Sequence, residues 1–160
     1  THVTRWGGRP MDFACAVALS GRFGLDLDLG SLTPDEEATC RRAVELAHRT
    51  QDLVQRGTLH RLVSPVEGPD RSRAALAHTS ADGGRAVVFA YQLGTPSTPG
   101  PTLRLPWFDG GGEVAVTVTD LGVDAPAAET VTSGRGLAVD GLDWPLDQPH
   151  TARIWELHRR

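Results

Sequence analysis

The chain has 160 residues, of which 39% are hydrophobic, and this suits one ordinary globular domain or a small domain joined to part of another. Its 16 basic residues, all of them arginine, and its 20 acidic residues give a net charge of −4, which excludes the broad basic surface that nucleic acids or anionic membranes attract. The lack of lysine excludes every lysine-based mechanism, and no apolar run approaches the length of about 20 residues that spans a bilayer.

The first elements along the chain are a short helix and a short strand. Residues 11–20 are almost wholly apolar and rich in alanine, which predicts a buried helix that ends at Gly21. Residues 23–29 alternate apolar and polar side chains, which predicts a strand.

The clearest local signal is a helix start at Thr33. Thr33 can cap, Pro34 suits the first helical position, and Glu36 can reach back to the backbone N–H of the cap. The pattern predicts an amphipathic helix over 34–56 that stops at Gly57. A long helix after a short strand, with another helix before it, is typical of βα units in a barrel or a layered α/β fold.

After residue 57 the pattern changes to short alternating runs that are separated by turn residues. These runs predict seven strands, at residues 59–63, 74–79, 86–92, 102–106, 113–119, 136–139 and 151–157. Seven such strands favour an antiparallel sandwich. We therefore expect two units, residues 1–57 and residues 58–160.

Asp26 and Asp28 are the obvious candidates for a catalytic carboxylate pair. Side chains two residues apart on one strand point the same way and lie about 6.5–7 Å apart. Such a pair cannot flank a glycosidic bond from opposite sides, as glycoside hydrolysis requires. We expect instead that these carboxylates bind loop N–H groups or an arginine at the strand end.

Histidine and cysteine show no ligand pattern. The six histidines are scattered without HExxH or HxH spacing, so we predict no metal site. Cys15 and Cys40 stand in apolar helical contexts without CxxC spacing, so we predict buried free thiols.

Three of the four tryptophans are candidates for sugar contacts. Trp6 lies beside glycines and Arg9, a combination on which sugar rings stack and bind; the alternative is that its side chain covers a loop of the fold. Trp107 and Trp144 could form a sugar-binding platform. Trp155 falls within the apolar alternation of the last predicted strand, so we assign it to the core.

Five motifs follow one another in the first 65 residues. They are a His-Val strand end, the end of an apolar helix, a G-x-x-L-D-L strand, an S-x-E-E-type helix cap and an R-L-x-S-P strand, at residues 2–3, 17–21, 24–29, 32–37 and 59–65. In these motifs and in their order the chain resembles the α-galactosidases of glycoside hydrolase family 36.

The resemblance implies an α+β fragment of a longer enzyme. Residues 1–57 would be the end of a (β/α)₈ barrel, with its last two βα units, and residues 58–160 would be an antiparallel β-sandwich. The family hydrolyses terminal α-galactosides with retention, and its two catalytic aspartates would lie upstream of this chain. The resemblance therefore implies no catalytic residue in this segment, no cofactor and inactivity of the segment alone.

The sequence leaves two alternative functions open. One is a relative that transfers galactose instead of hydrolysing the bond. The other is a stand-alone carbohydrate-binding or structural β-sandwich module.

The resemblance also implies site residues and partners. The loop from residue 2 to residue 9 would follow a barrel strand at its C-terminal end, so His2, Trp6 and Arg9 would help to wall the substrate pocket. The implied partners are the rest of the catalytic barrel, an α-galactoside and a second copy of the chain, without nucleic acid or membrane. The implied location is cytoplasmic.

Overall fold

The structure, a computed structural model, describes residues 2–4, 8–67, 71–123 and 127–160. It is an α+β fold whose elements follow one another in this order: β1 (His2–Val3), α1 (Met11–Leu19), β2 (Gly24–Leu25), α2 (Pro34–Arg56), β3 (Thr58–Val63), β4 (Arg73–Thr79), β5 (Arg85–Gln92), β6 (Glu113–Thr119), β7 (Ala128–Ser133), α3 (Gly134–Val139) and β8 (Thr151–Arg159). Short 3₁₀ turns lie at Leu29–Ser31 and Pro106–Phe108. Among the helices of the described ranges, none has the length and apolar composition that a membrane crossing needs.

β1, α1 and β2 form a parallel βαβ unit. His2 pairs with Gly24 and Val3 with Leu25, and the N–H of Asp26 extends the ladder by donating to the carbonyl of Val3 at 3.0 Å. The predicted helix is therefore confirmed, whereas the strand predicted over 23–29 is wrong in its second half.

The reason for the shorter strand is local. The carboxylate of Asp28 accepts a hydrogen bond from the N–H of Gly30 at 3.0 Å and caps the 3₁₀ turn that follows. Aspartate competes in this way with strand pairing, because its short side chain can satisfy the neighbouring backbone. This is the loop-binding role expected for a strand-end carboxylate.

α2 begins and ends where the sequence predicts. The N–H of Glu36 donates to Thr33 Oγ1 at 3.3 Å, and the N–H of Thr33 donates to Glu36 Oε2 at 2.8 Å, which completes the capping box. These two bonds satisfy backbone donors that have no partner within the helix.

We expect Thr33→Ala to lower the free energy of unfolding by about 1 kcal/mol, because it removes the acceptor for the N–H of Glu36. Urea denaturation followed by circular dichroism would measure the change. The matched control is Gln51→Ala on the exposed face of the same helix, which should change stability by less than about 0.5 kcal/mol. Equal effects of the two substitutions would contradict the role of the cap.

The remaining strands form one antiparallel sheet in the order β3-β4-β5-β8-β6-β7. Five of the seven predicted strands are confirmed, since they coincide with β3, β4, β5, β6 and β8. The predicted strand 102–106 is wrong, because this segment makes a single bridge between Leu103 and Leu142. The predicted strand 136–139 is also wrong, because these residues belong to α3.

The strand that sequence analysis missed is β7. Its residues are almost all exposed at the edge of the sheet, so they lack the apolar alternation that reveals a half-buried strand. α3 starts directly after it, where Ser133 Oγ accepts from the N–H of Gly136 at 2.9 Å. A side-chain cap therefore converts the run at 136–139 into a helix.

Both faces of the sheet are covered. One face packs against α1 and α2, in a hydrophobic cluster that includes Phe13, Leu19, Leu46, Leu53, Val87, Phe89, Tyr91 and Ile154. The other face packs against the second 3₁₀ turn, α3 and the connecting segments, in a cluster that includes Val88, Leu103, Leu105, Phe108, Leu137 and Trp155. Trp155 is 6% exposed, which confirms its place in the core.

Polar contacts also attach the helices to the sheet. The hydroxyl of Tyr91 donates to the carbonyl of Ala16 at 3.1 Å, and burial raises the pKa of Tyr91 above its ordinary value, so the hydroxyl stays protonated. Arg49 on α2 forms an ion pair with Glu156 on β8 at 3.0 Å. The elements before and after residue 57 thus share one core and direct polar contacts.

Candidate functional site

A cavity of about 450 Å³ opens beside β1 and the first turns of α1. Its volume lies within the range of about 300–1,000 Å³ that is typical of small-molecule sites. The residues that line it are His2, Val3, Thr4, Arg9, Phe13, Ala14, Val17, Ala18, Leu93 and His150.

The lining combines an apolar wall with three nitrogen-bearing side chains. Phe13, Val17 and Leu93 are among the residues of the wall, and the side chains of His2, Arg9 and His150 supply polar groups. No carboxylate occurs among these lining residues. Imidazole and guanidinium groups offer N–H donors, so the pocket suits a ligand that is rich in oxygen acceptors.

Two of the three site residues predicted from the sequence lie in this cavity. His2 comes from β1 and Arg9 from the segment just before α1, and both line the cavity. Trp6 lies outside the described residues. The role of all three residues in substrate binding stays a prediction.

His150 is the cavity residue that sequence analysis missed. It precedes β8, and its ring packs against Phe13 on α1 with 5.6 Å between ring centroids. Its backbone N–H donates to the carbonyl of Gln92 at 2.8 Å, and its φ of 57° lies in the left-handed region. No sequence signal relates it to His2, because only folding brings the two ends of the chain together.

A buried polar network lies behind this wall of the cavity. Gln92 accepts hydrogen bonds from Arg73 Nε at 3.3 Å and from Trp144 Nε1 at 3.1 Å, and its amide nitrogen donates to the carbonyls of Ser72 and Gly94. The network holds the end of β5 in place, and the cavity residue Leu93 follows directly.

The same network bears on the tryptophan candidates. Trp144 has the Arg73 guanidinium over its ring at 5.8 Å, and Gly100 packs so closely against it that an added Cβ would lie 2.3 Å from Trp144 Cβ. Trp107 stacks on His60 with 4.4 Å between centroids. Because each ring is engaged by neighbouring residues of the chain, the geometry favours structural roles over a sugar platform.

Other reaction chemistries find little support in the described part of the chain. Cys15 and Cys40 are buried and form no disulfide, which confirms the prediction of buried thiols. Burial raises the pKa of Cys15 to about 12, so it is not a thiolate nucleophile at neutral pH. Within the described ranges no group of three or more metal-ligating side chains occurs.

Known α-galactosidases match this chain in sequence and in structure. α-Galactosidase AgaA of Geobacillus stearothermophilus is 38% identical over 94 residues, which cover 58% of this chain and 12% of the relative. Probable α-galactosidase C of Aspergillus flavus is 34% identical over 157 residues, which cover 94% of this chain and 19% of the relative. No protein-family model matches the chain.

The fold comparison agrees with the sequence comparison. The crystal structure of a variant of the family 36 α-galactosidase AgaA from G. stearothermophilus, in complex with stachyose, superposes with a TM-score of 0.79 and 28% identity, and the match covers 100% of this chain and 22% of that one. The chain thus spans between 12% and 22% of the length of these relatives. Its homologues and structural neighbours are glycoside hydrolase family 36 α-galactosidases, and the chain matches their C-terminal portion.

Proposed function

We propose that this chain is the C-terminal segment of a retaining α-galactosidase that hydrolyses terminal α-galactosides in carbohydrate catabolism. The observation that carries the proposal is the match of the whole chain to a family 36 enzyme with stachyose bound. Retaining hydrolysis needs two carboxylates that act as nucleophile and as acid/base, and these residues would lie in the part of the enzyme before this segment. Because the carboxylates do the chemistry, the reaction needs no cofactor.

We propose that residues 1–57 are the end of the catalytic barrel and that the rest of that barrel is their partner. The support is the parallel pairing of β1 with β2 through the crossover helix α1, with α2 following. In a closed barrel every strand has two neighbours, whereas among the described residues β1 and β2 each have one. Val17 on α1 is 37% exposed beside the cavity and offers apolar surface to the missing elements.

Residues 58–160 would be the C-terminal β-domain of the enzyme. Their six-stranded antiparallel sheet, with apolar side chains on both faces, is consistent with one layer of a β-sandwich. The domain would stabilise the barrel by covering α1 and α2. Self-association and the cytoplasmic location implied by the bacterial relatives stay predictions.

His2, Arg9 and Trp6 are proposed to contact the substrate. In barrel enzymes the active site lies at the C-terminal ends of the strands. His2 belongs to β1, and Trp6 and Arg9 follow in sequence between β1 and α1. The placement of His2 and Arg9 around one cavity supports this role.

The proposal predicts that activity needs more than this chain. We expect the longer protein to hydrolyse a nitrophenyl α-galactoside and the 160-residue chain to show no turnover above background, because the catalytic carboxylates would lie in the part of the enzyme before this segment. Release of nitrophenol, measured for both proteins at equal concentration, tests this. A matched nitrophenyl β-galactoside is the control for specificity. Hydrolysis by the short chain would contradict the assignment of the catalytic carboxylates to the preceding part of the enzyme. Asp26 and Asp28 would then become candidates for the catalytic pair.

A further inference from the structure

We infer that His78 on β4 is a pH-sensitive link between the end of α1 and the sheet. The neutral ring of His78 binds the backbone carbonyl of Ser20, and protonation of the ring at acidic pH releases the end of α1. The inference does not depend on the enzymatic activity, because it concerns only the attachment of residues before position 57 to the sheet that follows.

The link is a hydrogen bond between residues that are far apart in the chain. Nε2 of His78 lies 3.1 Å from the backbone oxygen of Ser20. Ser20 caps the C-terminal end of α1, where the last carbonyl groups of a helix have no partner within the helix. Because a carbonyl oxygen only accepts, the neutral ring carries its proton on Nε2 and donates it to Ser20.

The other ring nitrogen makes the link sensitive to pH. His78 is 6% exposed, and its Nδ1 has no hydrogen-bond partner among the described residues. In the neutral ring Nδ1 is only an acceptor. Protonation would turn it into a donor and would add a positive charge, and burial of an unpaired donor on a charged ring is costly.

The immediate surroundings of the ring are apolar. Leu59 on β3 and Val87 on β5 stand opposite His78 in the sheet. The ring of Phe89 lies edge-on to the imidazole, with 6.5 Å between the ring centroids. These neighbours offer little solvation to a charged imidazole.

Charged groups on the packed elements also disfavour a proton on His78. His60 on β3 repels a charge on the ring. The carboxylate of Asp52 on α2 is already paired with Arg85 at the start of β5, at 2.7 Å. The other charged side chains that these elements carry at this end are Arg22, which follows α1, and Arg56 at the end of α2, and both are exposed.

Burial decides the direction of the pKa shift. It lowers the pKa of His78 below the ordinary value of about 6.5, and the repulsion by His60 acts in the same sense. The hydrogen bond to Ser20 acts in the opposite sense, as expected at the carbonyl end of a helix, but its effect is smaller than that of burial.

The sign of the pH effect follows from this shift. A released, hydrated ring takes up a proton as the pH falls through about 6.5, whereas the buried ring takes it up only at lower pH. Acid therefore favours the released state. The link has its full strength above about pH 7 and weakens as the pH falls below about 6.5.

The test is amide hydrogen exchange, followed by mass spectrometry of the protein at its natural length. Between about pH 7.5 and about pH 5.5 we expect the amides of residues 17–25 to lose protection by about threefold to tenfold, after correction for the intrinsic exchange rate. About tenfold is the limit for one ring that is studied one pH unit below its pKa in the released state. The amides of residues 40–50, in the centre of α2, should keep their protection.

Two variants show whether His78 causes this loss. Glutamine can place an amide N–H near the position of Nε2 and does not titrate, so His78→Gln should keep the same protection of residues 17–25 at both pH values. His48→Gln, on the exposed side of α2, is the matched control and should lose protection as the wild type does. An equal loss in His78→Gln and in the wild type would overturn the inference.

A measurement on the wild type alone makes the test independent of the folding of the variant. Exchange of the imidazole C2–H, followed by mass spectrometry, gives the pKa of individual histidines. The midpoint for His78 should lie at lower pH than the midpoint for the exposed His48. Equal midpoints, or unchanged protection of residues 17–25 between the two pH values, would show that His78 is no pH-sensitive link.

Discussion

Replacing Gln92 by alanine should lower the free energy of unfolding by about 3–5 kcal/mol, one of the two largest losses that we expect in this chain. Gln92 is fully buried and connects β4, β5 and the segment that carries Trp144. Alanine would remove the acceptor for Arg73 Nε and Trp144 Nε1, and it would leave the carbonyls of Ser72 and Gly94 without their amide donor. Burial without a hydrogen bond is costly for Arg73 Nε and Trp144 Nε1. The carbonyl of Ser72 would keep the N–H groups of Leu93 and Gly94 as donors.

The charge of Arg73 makes the loss larger. Arg73 is 4% exposed, and its guanidinium also donates to the hydroxyl of Thr98 at 3.1 Å and to its carbonyl. Gln92 is one of the neutral acceptors that this buried charge uses. Removing one such acceptor from a buried cation costs more than breaking a bond between neutral groups.

Two variants separate the contributions to this loss. Gln92→Met keeps most of the side-chain volume but no hydrogen bonds, so it should still lose more than about 2 kcal/mol. Gln55→Ala, on the exposed surface of α2, should lose less than about 0.5 kcal/mol. The measurement is the denaturant midpoint at constant m-value. Full stability of the methionine variant would show that packing, and not the polar network, holds this region together.

Phe89→Ala should also lower the free energy of unfolding by about 3–5 kcal/mol, because it opens a cavity in the centre of the core. Phe89 is fully buried in β5, and its ring lies parallel to that of Tyr91 at 6.4 Å and edge-on to that of His78 at 6.5 Å. It belongs to the cluster that joins the sheet to α1 and α2. The loss should therefore reach the helices as well as the strands.

The measurement follows two signals during urea denaturation of this chain. Far-UV circular dichroism reports mainly on the helices, and tryptophan fluorescence reports on the sheet side through residues such as Trp155. We expect both midpoints to shift together, because the shared core makes unfolding cooperative. Val131→Ala, at a 45% exposed position on the edge strand β7, is the control and should change little. A helix signal that keeps its midpoint in Phe89→Ala would show that residues 1–57 unfold separately.

The helices and strands that could be predicted from the sequence are those whose bounds depend on interactions between residues close together in the chain. The capping box and the stop at Gly57 give α2 its bounds, since the bonds concerned join residues three or four positions apart. The central strands β4 and β5 carry runs of apolar residues, and β8 carries an apolar alternation, so their burial could be predicted. Sequence analysis missed the exposed edge strand β7 because that strand has no apolar alternation. It predicted strand at two places where a capping side chain, Asp28 or Ser133, starts a helical turn instead.

The sequence by itself therefore determined α1, α2, most of the sheet and the family resemblance, and it supplied His2 and Arg9 as candidate contacts. Only the tertiary structure placed His150 beside them, buried Gln92 with Arg73 and Trp144, and joined the helices before residue 57 to the sheet after it. The physical reason is the range of the interactions. Caps and periodicity act between neighbours in the chain, whereas a cavity wall or a buried network forms between residues whose separation in sequence carries no information about their distance in space.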